Sequence, residues 1–179
     1  MTEKFVHDGR RVRHEFQTME ECDEAIIANC NKVLKPDSHI YCLGDFAFSG
    51  QLVMKYRRRL TGNWGIILGN HDPDETKDWH WTMPDGSRAF RRIGSWKMFG
   101  PQGKPPLFVA CHYPLHPMCI ARHHDKQRQL ICVHGHEHRT KVMDGPKEDL
   151  RYLNICVENT GYAPVHYDDI ATEIKKRGF

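Results

Sequence analysis

Apolar residues at Met19, Cys22, Ile26 and Val33 recur at helical spacing behind Thr18 and Glu21, which form a T-x-x-E capping box, and Pro36 stops the pattern. They predict a helix over 19–34. The run "HIYCL" (39–43) reads as a short strand, "QLVMKYRRRL" (51–60) as a helix closed by Gly62, and "WGIIL" (64–68) as the next strand. From Pro73 to Arg92 the chain is rich in Trp, Asp, Pro and Gly without period, which predicts an irregular loop. "GSWKMFG" and "PLFVAC" flank the turn-forming "PQGK" and predict a hairpin. "LHPMCIARHHDKQRQ" reads as loop plus a short helix, "LICV" as a strand, and "RYLNICV" (151–157) as another strand after a turn at Asp144-Gly145. A last amphipathic helix over 168–177 carries acid in its first turn and Lys/Arg in its last, as the helix dipole favours. Strands alternating with helices, plus a hairpin, imply an α/β or α+β domain with mixed sheets.

Composition narrows this picture in three ways. A chain of 179 residues is of single-domain size, so one domain over 1–179 is expected. The formal net charge is only +3, which argues against a nucleic-acid-binding tail or a polybasic membrane anchor. Seven cysteines form no CxxC pair and lie mostly inside apolar runs, where a thiol packs as a small hydrophobe; together with an N-terminus lacking an apolar signal core and the absence of a membrane-length apolar run, they suggest a protein of the reducing cytoplasm with no membrane partner.

The candidate chemistry sits in four motifs, each directly after a short apolar strand. They are "YCLGD" ending at Asp45, "IILGNHD" ending at Asp72, "FVACH" ending at His112, and "ICVHGHEH" ending at His138. Ligands of α/β sheets bind beyond the carboxyl ends of the strands, so the four motifs are expected to meet in one site. Asp, Asn and His supply hard oxygen and borderline nitrogen donors, a mixture suited to divalent Mn, Fe, Zn or Ni rather than to a thiolate-held structural zinc. Gly44, Gly69 and Gly135 stand where each strand must turn sharply into its polar residues.

In this order, GD at 44–45, GNHD at 69–72, the lone His112 in "CHYP" and GHxH at 135–138 resemble four of the five signature blocks of the calcineurin-like metallophosphoesterase superfamily, and look most like its small single-domain bacterial and phage members. The resemblance covers roughly residues 39–160. It implies an α+β fold of four layers, an α/β-type sandwich of two mixed β-sheets packed face to face and flanked by helices. It implies that Asp45 bridges two metals, that Asn70, His112 and His136 complete the second metal site, and that His138 belongs to the first. His71 would stand above the phosphate as general acid or phosphate ligand, oriented by Asp72. The implied activity is metal-dependent hydrolysis of a phosphodiester or nucleotide-type phosphoester, in which the cations activate a water and clamp the phosphoryl oxygens.

The family's first block, an Asp-x-His after the first strand, has no counterpart before Asp45, so the resemblance implies a chain that lacks that first strand and two ligands of the first metal. One ion or two are therefore both open, with Asp45, Asn70, His112 and His136 the fuller set and His7 or His14 the candidates for partial substitution. The alternative function is a catalytically impaired member that binds a nucleotide, nucleic acid or protein partner. His134 is expected to support the site from behind. "KYRRRL" (55–60) reads as a solvated helix face before it reads as a nucleic-acid contact, and "HWTMPDGSRAF", with Trp81, Arg88 and Phe90, as either a base-stacking lid or a packed loop.

Overall fold

In the computed structural model the residues described are 6–7, 10–11, 13–73, 81–102, 104, 107–121 and 130–179. After a two-residue hairpin, β1 (Val6–His7) with β2 (Arg10–Arg11), come α1 (Met19–Val33), β3 (His39–Cys42), α2 (Gly50–Arg57) and β4 (Asn63–Ile67). There follow β5 (Arg92–Gly94), β6 (Trp96–Phe99), β7 (Phe108–Cys111), α3 (Pro117–Ile120) and β8 (Ile131–His134). A small hairpin, β9 (Met143–Asp144) and β10 (Lys147–Glu148), then β11 (Tyr152–Asn154), a 3-10 turn at Val157–Asn159 and α4 (Tyr167–Lys176) complete the chain.

The two principal sheets are a parallel three-stranded one, ordered β3-β4-β5, and a mixed four-stranded one, ordered β11-β8-β7-β6, in which only β6 runs antiparallel to its neighbour. The fold is thus α+β, with several sheets and flanking helices. Parallel neighbours require a crossover, and α2 lies on the connection from β3 to β4 as α3 lies on that from β7 to β8. Both crossovers leave the carboxyl ends of β3, β4, β7 and β8 carrying the polar motifs.

Alternation along β4 explains the layering. Trp64 and Ile66 face a cluster with Ile27 and Cys30 of α1 and Val53 of α2, whereas Ile67 joins Phe108, Ala110, Ile131 and Val133 of the other sheet. The two sheets also meet through a run of rings: Tyr41 against Phe99 at 5.2 Å, Phe99 stacked on Phe108 at 5.0 Å, and Phe108 near Tyr167 of α4 at 5.9 Å. On the far side of the second sheet Val109, Cys132 and Tyr152 pack against Ile120 of α3. Ile66, Ile67 and Ile131 are each at most 1% exposed, so truncating any of them to Ala costs about 2–5 kcal/mol.

Element by element, the expected helix over 19–34 is α1, with both halves of the Thr18/Glu21 capping box formed. The expected helix over 51–60 ends at Arg57. The reason is the Arg57 side chain, buried at 5% exposure, which donates from Nε to the Ala89 carbonyl at 2.6 Å and from its two terminal nitrogens to the carbonyls of Leu60 and Gly62. Arg57 is therefore an internal cap for a turn and not part of a solvated face; Arg59 of the same run instead forms an exposed two-pronged pair with Glu24. The expected strand over 151–157 stops at Asn154, whose side-chain oxygen takes the Cys156 N–H while its amide nitrogen donates to the carbonyls of His138 and Thr140. Residues 74–80 of the expected loop lie outside the described residues; within the rest, the three-residue β5 was too short to show a period. The lid reading of "HWTMPDGSRAF" gives way to the packed one: Phe90 is 2% exposed in the first core, and Trp81 packs against the same cluster. No helix among the described residues is long and apolar enough to cross a membrane, and all seven cysteines are free thiols.

Candidate metal centre

Three residues immediately past β3, β4 and β7 bring their side chains together with one past β8. The His112 imidazole, 2% exposed, is fixed first: its Nδ1 lies 2.7 Å from the Leu43 carbonyl oxygen. A carbonyl only accepts, so Nδ1 carries the hydrogen and Nε2 faces the other way. Around Nε2 stand Asn70 Oδ1 at 3.1 Å, His136 Nδ1 at 3.2 Å and Asp45 Oδ2 at 3.4 Å. Asp45, His112 and His136 form a group able to hold a metal ion, one donor atom from each lying within 4.8 Å of the others.

The spacing itself tests the fit. Ligand atoms about 2.1 Å from one ion and 90–109° apart stand about 3.0–3.4 Å from each other. The three separations from His112 Nε2 fall in that interval, and the donor set is the oxygen and imidazole mixture that first-row divalent ions accept. Electrostatics point the same way. Burial opposes charge on Asp45, yet the His112 ring and the His71 amide, which donates to Asp45 Oδ1 at 2.9 Å, hold its carboxyl below the ordinary range. Burial likewise works against His112 protonation, and the facing Asp45 carboxylate and Leu43 carbonyl outweigh it and raise its pKa. The cluster favours a positive charge at its centre.

The backbone is bent to make this possible. Asp45 (φ 54°), His136 (φ 63°) and His138 (φ 46°) occupy the left-handed region, at roughly 1 kcal/mol or more apiece. Gly44 (φ 94°) has a second constraint, since a Cβ there would lie 2.5 Å from His112 Nδ1; at Gly69 a Cβ would lie 2.2 Å from Asp45 Oδ1. Two of the ligand-bearing loops thus touch through their glycines.

Asp72 does not face the His71 ring through any described hydrogen bond. Its carboxylate, 8% exposed as a residue, accepts the backbone N–H groups of Asp45 (2.9 Å), Phe46 (2.7 Å) and Gly69 (2.8 Å). Burial pushes its pKa up against those three amides. Asp72 therefore fixes the GD and GNHD turns to each other and holds the backbone that carries Asp45. The His71 ring lies at the exposed rim, edge-on to Phe48 with centroids 5.1 Å apart.

His138 stands apart from the Asp45 group. Its Nδ1 is 3.0 Å from Glu158 Oε1, which also accepts Arg13 Nε at 2.8 Å. Burial favours the neutral acid, but the His138 and Arg13 partners hold the Glu158 carboxyl down at about 2. Glu158 was not singled out in the sequence; the only signal was a charged residue at the end of the apolar run "LNICVE". His134 is fully buried beside Tyr152, with Nδ1 on the Gly135 carbonyl at 2.8 Å and Nε2 lacking a hydrogen-bond partner among the described residues; burial lowers its pKa. It backs the GHxH turn from the core. Of the proposed substitutes, His14 is exposed and 3.9 Å from Glu15, and the His7 side chain lies outside the described residues.

No protein-family model matches this chain, and no curated protein matches it. Among solved structures it is similar to the protein of unknown function AQ665 from Aquifex aeolicus, at 24% identity over 94% of each chain with a TM-score of 0.60. That likeness concerns the fold alone.

Proposed function

We propose that this chain is a metal-dependent phosphoesterase of the calcineurin-like metallophosphoesterase type, acting on a phosphodiester or nucleotide-type phosphoester. The observation that carries the reading is the arrangement of Asp45 Oδ2, Asn70 Oδ1 and His136 Nδ1 around His112 Nε2, potential ligand atoms converging on one point at 3.1–3.4 Å. In this reading those four residues hold one divalent ion of the Mn, Fe, Zn or Ni class. When bound, the ion supplies Lewis-acid chemistry: it lowers the pKa of a water and polarises a phosphoryl oxygen. The chain's own part is to keep the donors facing inward: the Leu43 carbonyl fixes the His112 ring, and Asp72 fixes the turn that carries Asp45. His71, exposed at the rim with its amide on Asp45, is the proton donor to the leaving oxygen.

The test is turnover of bis-p-nitrophenyl phosphate and p-nitrophenyl phosphate with added Mn²⁺, set beside calorimetric Mn²⁺ binding. The wild type is expected to bind and turn over, and Asp45→Ala and His112→Ala to lose both. Wild-type activity indistinguishable from those variants would sink the enzyme reading. Because His138 is turned to Glu158, a second reading is a binding protein with one ion; metal binding without turnover would select it.

A further inference from the structure

Two aromatic rings at the rim are exposed and belong to none of the hydrophobic cores. Phe48 is 62% exposed and Tyr113 43% exposed, whereas the neighbouring rings Phe46 and Phe90 contact each other at 5.3 Å in the first core. Tyr113 touches two residues of the candidate centre, and Phe48 touches His71 beside it. Phe48 lies edge-on to His71 at 5.1 Å, and Tyr113 lies 4.8 Å from the His112 ring and 4.6 Å from the His136 ring. The two approach from different loops, Phe48 from the turn before α2 and Tyr113 from the residue after His112.

We propose that Phe48 and Tyr113 form a base-stacking subsite, so that the substrate is a nucleoside phosphoester; this deepens the phosphoesterase reading and rests on it. An exposed phenyl ring loses the burial it would have in a core, and two such rings beside one polar cluster form a surface that an aromatic ligand covers. A phosphoester held at Asp45, His112 and His136 places its ester substituents over the adjoining residues, which are His71 with Phe48 and the Tyr113 ring. A purine or pyrimidine lays a flat π-face on such rings whatever its hydrogen-bonding edge, which a methyl or glycerol ester cannot do. The subsite therefore selects for a base without selecting among bases. The segment that the sequence offered for stacking, around Trp81 and Phe90, is packed into the core and leaves this role to Phe48 and Tyr113.

The experiment compares two diesters with the same leaving group, thymidine 5′-(p-nitrophenyl phosphate) and methyl p-nitrophenyl phosphate, by the ratio of their kcat/KM values. The wild type should favour the thymidine ester by about fivefold or more, the effect of one stacked base. Phe48→Ala and Tyr113→Ala should each reduce that ratio toward one, while Phe48→Tyr and Tyr113→Phe, which keep a ring, should retain it. Thermal melts check that all four variants are folded. A wild-type ratio near one, or a ratio unaltered in the Ala variants, overturns the subsite while leaving the phosphoesterase reading standing. If neither ester turns over, the phosphoesterase reading falls, and equilibrium dialysis with thymidine 5′-monophosphate decides the subsite: weaker binding by both Ala variants upholds it, and equal binding overturns it.

Discussion

Replacing Glu158 by Gln removes one charge from a buried three-residue cluster while preserving the side chain's shape. The wild-type carboxylate is 1% exposed, and one of its oxygens accepts from both Arg13 and His138. Its folded pKa of about 2 lies well below the ordinary 4.5, which is worth about 3 kcal/mol of stability. The sign follows from the direction: a depressed folded pKa gives stability that is fully present above the unfolded pKa and is lost as pH falls from about 4.5 toward 2. At pH 7 the variant should be less stable by about 3 kcal/mol, leaving Arg13 half-buried without its carboxylate; by pH 3 the difference should shrink to about 1 kcal/mol. Urea titrations of both proteins at pH 7, 5, 4 and 3, followed by far-ultraviolet circular dichroism, measure it. A loss below about 0.5 kcal/mol at pH 7, or one that does not change with pH, would refute the reasoning.

Gly69→Ala should weaken Mn²⁺ binding about tenfold or more, because its Cβ falls 2.2 Å from Asp45 Oδ1; calorimetry showing wild-type affinity would contradict this. Arg57→Ala should destabilise by about 2–4 kcal/mol, since three carbonyls lose a buried donor, and a Tm within a degree of wild type would dispose of the idea. Thr18→Ala should cost about 1 kcal/mol of stability at the start of α1, read by chemical denaturation, with Glu21 left in place. Mn²⁺ at a hundred times its dissociation constant should stabilise the wild type by about 3 kcal/mol and His112→Ala much less; equal shifts in the two proteins would place the ion elsewhere.

What the sequence made legible follows the range of the interactions involved. The α1 boundaries rest on Thr18, Glu21 and Pro36, all local, and the strands before the motifs rest on short apolar runs, so both could be read directly. The convergence of Asp45, Asn70, His112 and His136 was legible through their common place after strands, a consequence of parallel topology. Features set by distant partners were not. Arg57 looks like any arginine of "KYRRRL" until Ala89, 32 residues on, supplies a carbonyl. Glu158 meets Arg13 from 145 residues away, and nothing near either residue announces it. Asp72 follows His71 directly, which suggested a partnership, yet the turn aims its carboxylate back at amides 26 and 27 residues earlier. The same limit applies to Phe48 and Tyr113, whose exposure is decided by which neighbouring apolar residues enter the core.

Several unlike costs accumulate at the ends of these four strands. Asp45 and His136 hold left-handed backbone, Gly44 and Gly69 exclude any side chain, the Asp72 carboxylate is buried on three amides, and Asp45, Asn70 and His136 crowd their polar atoms around His112. The left-handed backbone at 45 and that at 136 would each be relieved by a single glycine. Packing alone gives no reason to keep them together, because the two cores lie to either side and neither Asp45 nor His136 belongs to them. A cation bound among Asp45, Asn70, His112 and His136 would give this crowding a purpose. It would draw on the strained turns to aim the side chains and on the close approach that the glycines permit. The concentration of strain therefore supports an ion site more strongly than the identity of its ligands does, since scattered Asp and His residues are common and this combination of constraints is not.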